Sequence, residues 1–155
     1  MKNSPTPQSL TSCYEVEIHY KRPLFDSMPI ISKAEDAETL LREFINLQQI
    51  DLRECFWVLL LTRSNHVLGI SEVGSGSTGG VLINLKYIFQ LAILSNASAI
   101  ILAHNHPSGS LTISEADIKE TKKIKRLAKT LEIEVHDHII ISSESFVSLV
   151  EEGDL

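Results

Sequence analysis

Two imidazoles and a carboxylate lie close together in this chain, within His104-Asn105-His106-Pro107-Ser108-Gly109 and the following Ser114-Glu115-Ala116-Asp117. His104 and His106 end an apolar run, Ala99-Ile100-Ile101-Leu102-Ala103. Side chains two apart on an extended chain project to the same side, so both rings can reach one point. Paired imidazoles at the end of a buried strand, followed by a loop and an acid at a helix start, make a metal-site arrangement.

The helix phase of Asp117 sharpens this reading. At 100° per residue, Thr121, Ile124, Ala128 and Leu131 fall within about 40° of Asp117 on the helix wheel. The acid therefore lies on the face that the apolar residues bury, where a charge must be paired or bind a metal. A cap contact in the first turn, where the helix end is positive, is the competing explanation, as is a basic partner. Lys119, Lys122, Arg126 and Lys129 point the other way. Ligation by His104, His106 and Asp117 is the favoured account. Two histidines and one carboxylate leave a fourth tetrahedral position for water, the open form of a catalytic zinc site. Pro107 and Gly109 suit the sharp turn from strand to helix. Ser114 is the natural N-cap, and its hydroxyl either fills that role or donates to a developing oxyanion.

Several elements must position these residues. Residues 1–12 are rich in Ser, Thr and Pro and read as a flexible tail, with the domain proper spanning 13–155. Tyr14–Tyr20 alternates like a half-buried strand, with His19 on its polar side. Ser32-Lys33-Ala34-Glu35 has the form of a capping box before an amphipathic helix over about 33–47. Glu54 precedes Cys55–Leu61, an apolar run suited to a central strand covered on both faces. Arg63-Ser64-Asn65 reads as a hairpin turn into a strand over His66–Val73. Gly74–Gly80 lacks the G-K-[ST] ending of a P-loop and reads as a flexible loop, a candidate rim for the site. Asn84 caps a second helix, a third runs from 115 to about 131, and Val135–Ile141 is another strand. Ser143–Glu152 reads as a short terminal helix stopped by Gly153. The order β-α-β-β-α-β-α-β predicts a single three-layer α/β domain around one mixed sheet.

Composition narrows the function classes. With 155 residues, 43% hydrophobic and 22% charged, the chain is an ordinary globular domain. Its net charge of −6 disfavours a strongly basic nucleic-acid binder. Cys13 and Cys55 form no C-x-x-C pair, which suits a reducing compartment. No stretch approaches the roughly 20 apolar residues of a membrane span, and the start lacks a signal-peptide core. The expectation is a soluble cytoplasmic protein without a membrane partner.

From about Glu54 to the C-terminus, His104-Asn105-His106-Pro107-Ser108-Gly109, Ser114, Asp117 and Asp137-His138-Ile139-Ile140-Ile141 together resemble the RadC-like branch of the JAMM (MPN-type) metalloprotein superfamily. The family pattern is an upstream Glu, then H-x-H-P, then S-x-x-D. The resemblance implies a cytidine-deaminase-like fold, Zn2+ held by His104, His106 and Asp117, Ser114 as the hydrogen-bonding serine, and Glu54 as general base. It further implies hydrolysis of a peptide or isopeptide-like amide in a peptide or protein substrate. Glu72 and Glu43 are rivals to Glu54, which is preferred for its place before the buried strand. Two departures stand out. Residues 1–50 are too short and differently patterned for the family's N-terminal helix-hairpin-helix region, which implies a stand-alone domain. Asn84-Leu85-Lys86 stands where many members carry Pro-Arg-Glu.

Other candidates are weaker. His136, Asp137 and His138 have no third ligand nearby and read as satisfied polar residues, braced behind the metal ligands rather than forming a second site. Lys119, Lys122, Arg126 and Lys129, with Lys123 and Lys125 at the edges, read as a solvated helix face. A nucleic-acid contact there is the alternative, in which the chain is a DNA-repair-associated accessory module with a structural or inactive zinc site. A nucleoside deaminase would need H-x-E and P-C-x-x-C, and no cysteine follows position 55.

Overall fold

The computed structural model describes residues 16–77 and 80–155. The tail assigned to residues 1–12 lies outside the described residues, as do Cys13, Tyr14 and Glu15. Six strands form one mixed sheet, in the order β3-β2-β1-β4-β5-β6. They are β1 (Glu54–Leu61), β2 (Val67–Ser77), β3 (Gly80–Val81), β4 (Ala99–Asn105), β5 (Glu134–Ile141) and β6 (Phe146–Ser148). Among the described residues four α-helices accompany them: α1 (Ala34–Phe44), α2 (Leu85–Leu94), α3 (Glu115–Thr130) and α4 (Leu149–Glu152). The expected three-layer α/β architecture is present. None of the described helices is long and apolar enough to cross a membrane.

Side-chain alternation splits the two central strands between two cores. Trp57, Leu59 and Leu61 of β1 join Ile101 and Ala103 of β4 beneath Ala37 and Leu41 of α1. On the opposite face, Phe56, Val58 and Leu60 join Ile100 and Leu102 beneath Ile88 and Ala92 of α2 and Ile124 and Ala128 of α3. Leu131, expected on that buried face, caps the helix and is 42% exposed. Each fully buried Leu or Ile contributes about 1.5–3 kcal/mol of apolar transfer, so the two cores hold the sheet as a rigid platform.

Two irregularities determine which residues face α3. β4 and β5 run parallel, pairing Ile100 with Val135 and then Ile101 with Asp137, so His136 is an extra residue in a bulge. One inserted residue reverses the alternation beyond it. Val135 and His138 therefore both face α3, and His136 does not share the face of His138. Asp137 turns to the other side, where it accepts from Ser148 Oγ (2.6 Å) and Val150 N (3.2 Å) and fastens α4. His136 lies 3.8 Å from the Glu134 carboxylate.

The described part of the glycine-rich stretch is extended strand rather than loop. Through Ser77 it continues β2, which then pairs with β3. A Cβ on Gly76 would run into the carbonyl oxygen of Gly80, and one on Gly74 would lie 2.8 Å from that of Leu82. Glycine here permits a close backbone crossing that brings residues 80–83 over the sheet.

Three local expectations need correction. Residues 16–20 form no strand, and Val16 and Ile18 are 91% and 66% exposed. Alternation marks a chain able to pair, but no strand among the described residues pairs with it. The first helix is shorter than 33–47, and its cap is shifted by one residue. The Asp36 carboxylate, not Glu35, accepts from the backbone N–H groups of Ser32 (2.7 Å) and Lys33 (3.1 Å). The terminal segment 143–152 begins as β6 and becomes helical only at Leu149, with Gly153 at φ 81° ending it.

Asn105 links the sheet to the chain entering it. Its side chain, fully buried, accepts from Cys55 N (2.7 Å) and donates to the carbonyl oxygens of Ile50 (2.6 Å) and Arg53 (2.8 Å). Asn105→Ala leaves three backbone groups unpaired, two of them buried, and is expected to lower the urea-unfolding free energy by about 2 kcal/mol. A loss below about 0.5 kcal/mol would show that the strap is not needed.

Candidate metal centre

The face selected by alternation now collects the chemistry. β1 and β4 are antiparallel with Phe56 opposite His104. Continuing that register by two residues sets Glu54 opposite His106, on the same face. One ring nitrogen from each histidine and a Glu54 carboxylate oxygen lie within 4.8 Å of one another. The two Nε2 atoms are 3.0 Å apart.

Asp117 enters from the first turn of α3. Its Oδ1 is 3.2 Å from His104 Nε2, and its Oδ2 is 4.0 Å from His106 Nε2. Oδ2 also accepts from Ser114 N (2.8 Å) and Ser114 Oγ (2.6 Å), while Ser114 Oγ accepts from Asp117 N (3.1 Å). The cap contact, on Oδ2, and the close approach to His104, on Oδ1, are thus both present. Burial pushes the Asp117 pKa up, but the His104 ring beside it and hydrogen bonds from Ser114 outweigh it and hold the carboxyl well below its ordinary value.

The donor set fits a small divalent cation. With bonds of ~2.0–2.1 Å to nitrogen and oxygen, a tetrahedral ion sets its ligand atoms ~3.3 Å apart. The 3.0 Å between the two Nε2 atoms and the 3.2 Å from His104 Nε2 to Asp117 Oδ1 lie near that spacing, while His106 Nε2 is 4.0 Å from the other oxygen, Oδ2. The structure also admits Glu54 as a third donor, where the sequence points to Asp117. All four residues line one cleft of about 520 Å3.

Behind the cleft the histidines are braced. His106 Nδ1 is 2.7 Å from the carbonyl oxygen of Ser110. His104 is 2% exposed, its Nδ1 is 2.7 Å from His138 Nε2, and its ring stacks on Phe56 at 5.8 Å and 4°. His138 Nδ1 meets the Thr121 hydroxyl at 2.6 Å. Burial, reinforced by His104, holds the His138 pKa well below the usual histidine value.

Of the rivals to Glu54, Glu72 pairs with Arg53 at 3.3 Å in a separate cleft, and Glu43 is exposed on α1. Among the described residues, Glu54, His104 and His106 are the only group of three or more such side chains close enough to hold a metal. Sequence reasoning missed Thr121, which it counted with the apolar face. A hydroxyl four residues after Asp117 on an otherwise aliphatic stripe was the available signal. It also missed Glu120 and Lys123, which line the cleft 3.7 Å apart. Lys119, Lys122, Lys125, Arg126 and Lys129 line a shallow groove on the outer side of α3.

Comparison with known proteins agrees with this geometry. The RadC-like JAB domain profile matches residues 31–154, beginning well before Glu54. A UPF0758 protein of Flavobacterium johnsoniae is 37% identical over 123 residues, covering 79% of this chain and 52% of that protein. A UPF0758 protein of Desulfitobacterium hafniense is 42% identical over 127 residues, covering 82% and 55%. One from Staphylococcus haemolyticus is 35% identical over 145 residues, covering 93% and 62%. The chain thus spans little more than half the length of these relatives. It belongs to the RadC-like JAB domain family, whose fold is that of JAMM-type metal-dependent hydrolases and whose domains commonly bind a metal.

Proposed function

We propose that this domain is a zinc-dependent hydrolase of peptide or isopeptide-like amides. One observation carries the reading: two imidazoles and two carboxylates line one cleft, with Glu54 close to both rings and Asp117 3.2 Å from His104. His104, His106 and Asp117 would hold the ion, and Glu54 faces the two histidines from β1. A zinc ion there would supply a Lewis acid and would lower the pKa of a bound water toward ~7. Glu54 takes a proton from the attacking water and returns it to the amide nitrogen as the C–N bond breaks, giving a carboxylic acid and an amine. Ser114 first serves Asp117, to which its hydroxyl proton is donated. With Oδ2 still held by Ser114 N, a hydroxyl turned toward the cleft has a proton for the developing oxyanion. Phe56, Val81, Leu82 and Ile83 give the cleft an apolar wall for an extended chain, with Glu120 and Lys123 on its polar side.

A second reading rests on the groove along α3, whose five basic side chains suit a phosphate backbone. It makes the domain a nucleic-acid-associated accessory module, with the metal retained for structure.

Metal analysis and turnover on a peptide library test the hydrolase. The unchanged protein should carry one zinc per chain, and His104→Ala or Asp117→Ala should lose it. Glu54→Gln should keep zinc and lose about 10²–10⁴-fold in turnover, the usual contribution of a general base. Loss of zinc together with activity in Glu54→Gln would instead make Glu54 a ligand. Absence of stoichiometric zinc after metal-replete expression would overturn the reading. For the accessory module, Lys122→Glu with Arg126→Glu should abolish a salt-sensitive DNA affinity. No measurable affinity in low salt leaves the groove a solvated face.

A further inference from the structure

The hydrogen bonds behind His104 have a direction that can be followed one proton at a time. Thr121, 1% exposed, stands 2.6 Å from the backbone carbonyl oxygen of Asp117 and 2.6 Å from His138 Nδ1. A carbonyl oxygen only accepts, so the single hydroxyl proton of Thr121 goes to Asp117. The Thr121 oxygen is left as an acceptor, and His138 Nδ1 must carry the proton it receives. His138 is 1% exposed and is hydrogen-bonded through its ring to Thr121 and His104, with no carboxylate among these partners. A neutral ring protonated at Nδ1 presents a lone pair at Nε2. The proton between the two rings therefore belongs to His104 Nδ1, 2.7 Å away.

This leaves His104 Nε2 with its lone pair turned into the cleft. His106 reaches the same state independently, because its Nδ1 can only donate to the Ser110 carbonyl oxygen at 2.7 Å. Two lone pairs 3.0 Å apart, with Asp117 Oδ1 at 3.2 Å, form a set of acceptors that a cation must bridge.

We propose that Thr121 and His138 are positioning residues that lock His104 in its Nδ1–H tautomer and thereby set the metal affinity of the site. The proposal rests on the metal-site reading above. It deepens that reading by joining two of the ligands: the relay starts on the main chain of Asp117 and ends on the ring of His104. Packing alone does not call for Thr121, since valine has nearly its shape. Partners that orient a metal-ligating histidine typically account for about 10–100-fold in metal affinity.

Long-range 1H–15N spectra of the metal-free protein at mildly alkaline pH read the tautomers directly. Both His104 and His138 should be protonated at Nδ1 and bare at Nε2. Thr121→Val should release the His138 tautomer and weaken zinc binding about 10–100-fold in competition with a chromogenic chelator. Thr121→Ser, which restores a hydroxyl, should recover both, with thermal unfolding confirming that each variant is folded. His104 found as the Nε2–H form overturns the relay without recourse to any variant. Folded Thr121→Val that binds zinc as tightly as the unchanged protein overturns it too. No zinc binding by the unchanged protein overturns the metal reading itself and, with it, any role of the relay at a metal, whatever the tautomers.

Discussion

The buried amide of Asn105 is the constraint on which the site depends. It stands between the two histidines but points to the opposite face of the sheet, because successive side chains of a strand alternate. There it bonds to Ile50, Arg53 and Cys55, fixing how the chain enters β1. Glu54 lies between two of those anchor points and, by the same alternation, faces the cleft. One triplet thus does two things: its outer residues present imidazoles, and its central residue fastens the strand that delivers the opposing carboxylate. A buried amide with both ends satisfied is rigid, since releasing any one bond leaves a polar group unpaired away from water.

Everything else extends this use of faces. The parallel β4-α3-β5 crossover brings α3 to the carboxyl ends of its strands, where open α/β sheets place their sites. The bulge at His136 shifts the alternation of β5 so that His138 lies behind His104 rather than on the opposite face. Close backbone crossing at Gly74 and Gly76 lays residues 80–83 along the cleft as a wall.

Legibility in the sequence followed the range of the interaction. The i, i+2 spacing of the histidines, the helix phase of Asp117 and the position of Glu54 before an apolar run are local patterns, and the structure brings these residues together. The α/β architecture was also legible, because buried strands and amphipathic helices announce themselves by period. Features that depend on a partner far along the chain were not. Val16 and Ile18 alternate like a strand but pair with no strand among the described residues. The glycine-rich stretch looks loose until Gly80 and Leu82 cross it. His136 and His138 share a parity in sequence that the bulge removes. No local rule distinguishes Asp36 from Glu35 as the acid that reaches back to cap α1.

Asp117 shows why two competing readings of one residue need not exclude each other. A carboxylate has two oxygens, and here they face different tasks. Oδ2 closes the first turn of α3 through Ser114, where the positive end of the helix welcomes it. Oδ1 is left toward His104. The cap therefore removes the rotational freedom that a ligand would otherwise lose on binding a metal, and its hydrogen bonds keep the carboxyl ionised. Thr121 ties the main chain of the same residue to the ring behind His104. The start of α3 is thus at once a helix end and one wall of the metal centre, so whatever disorders the cap should loosen the site with it.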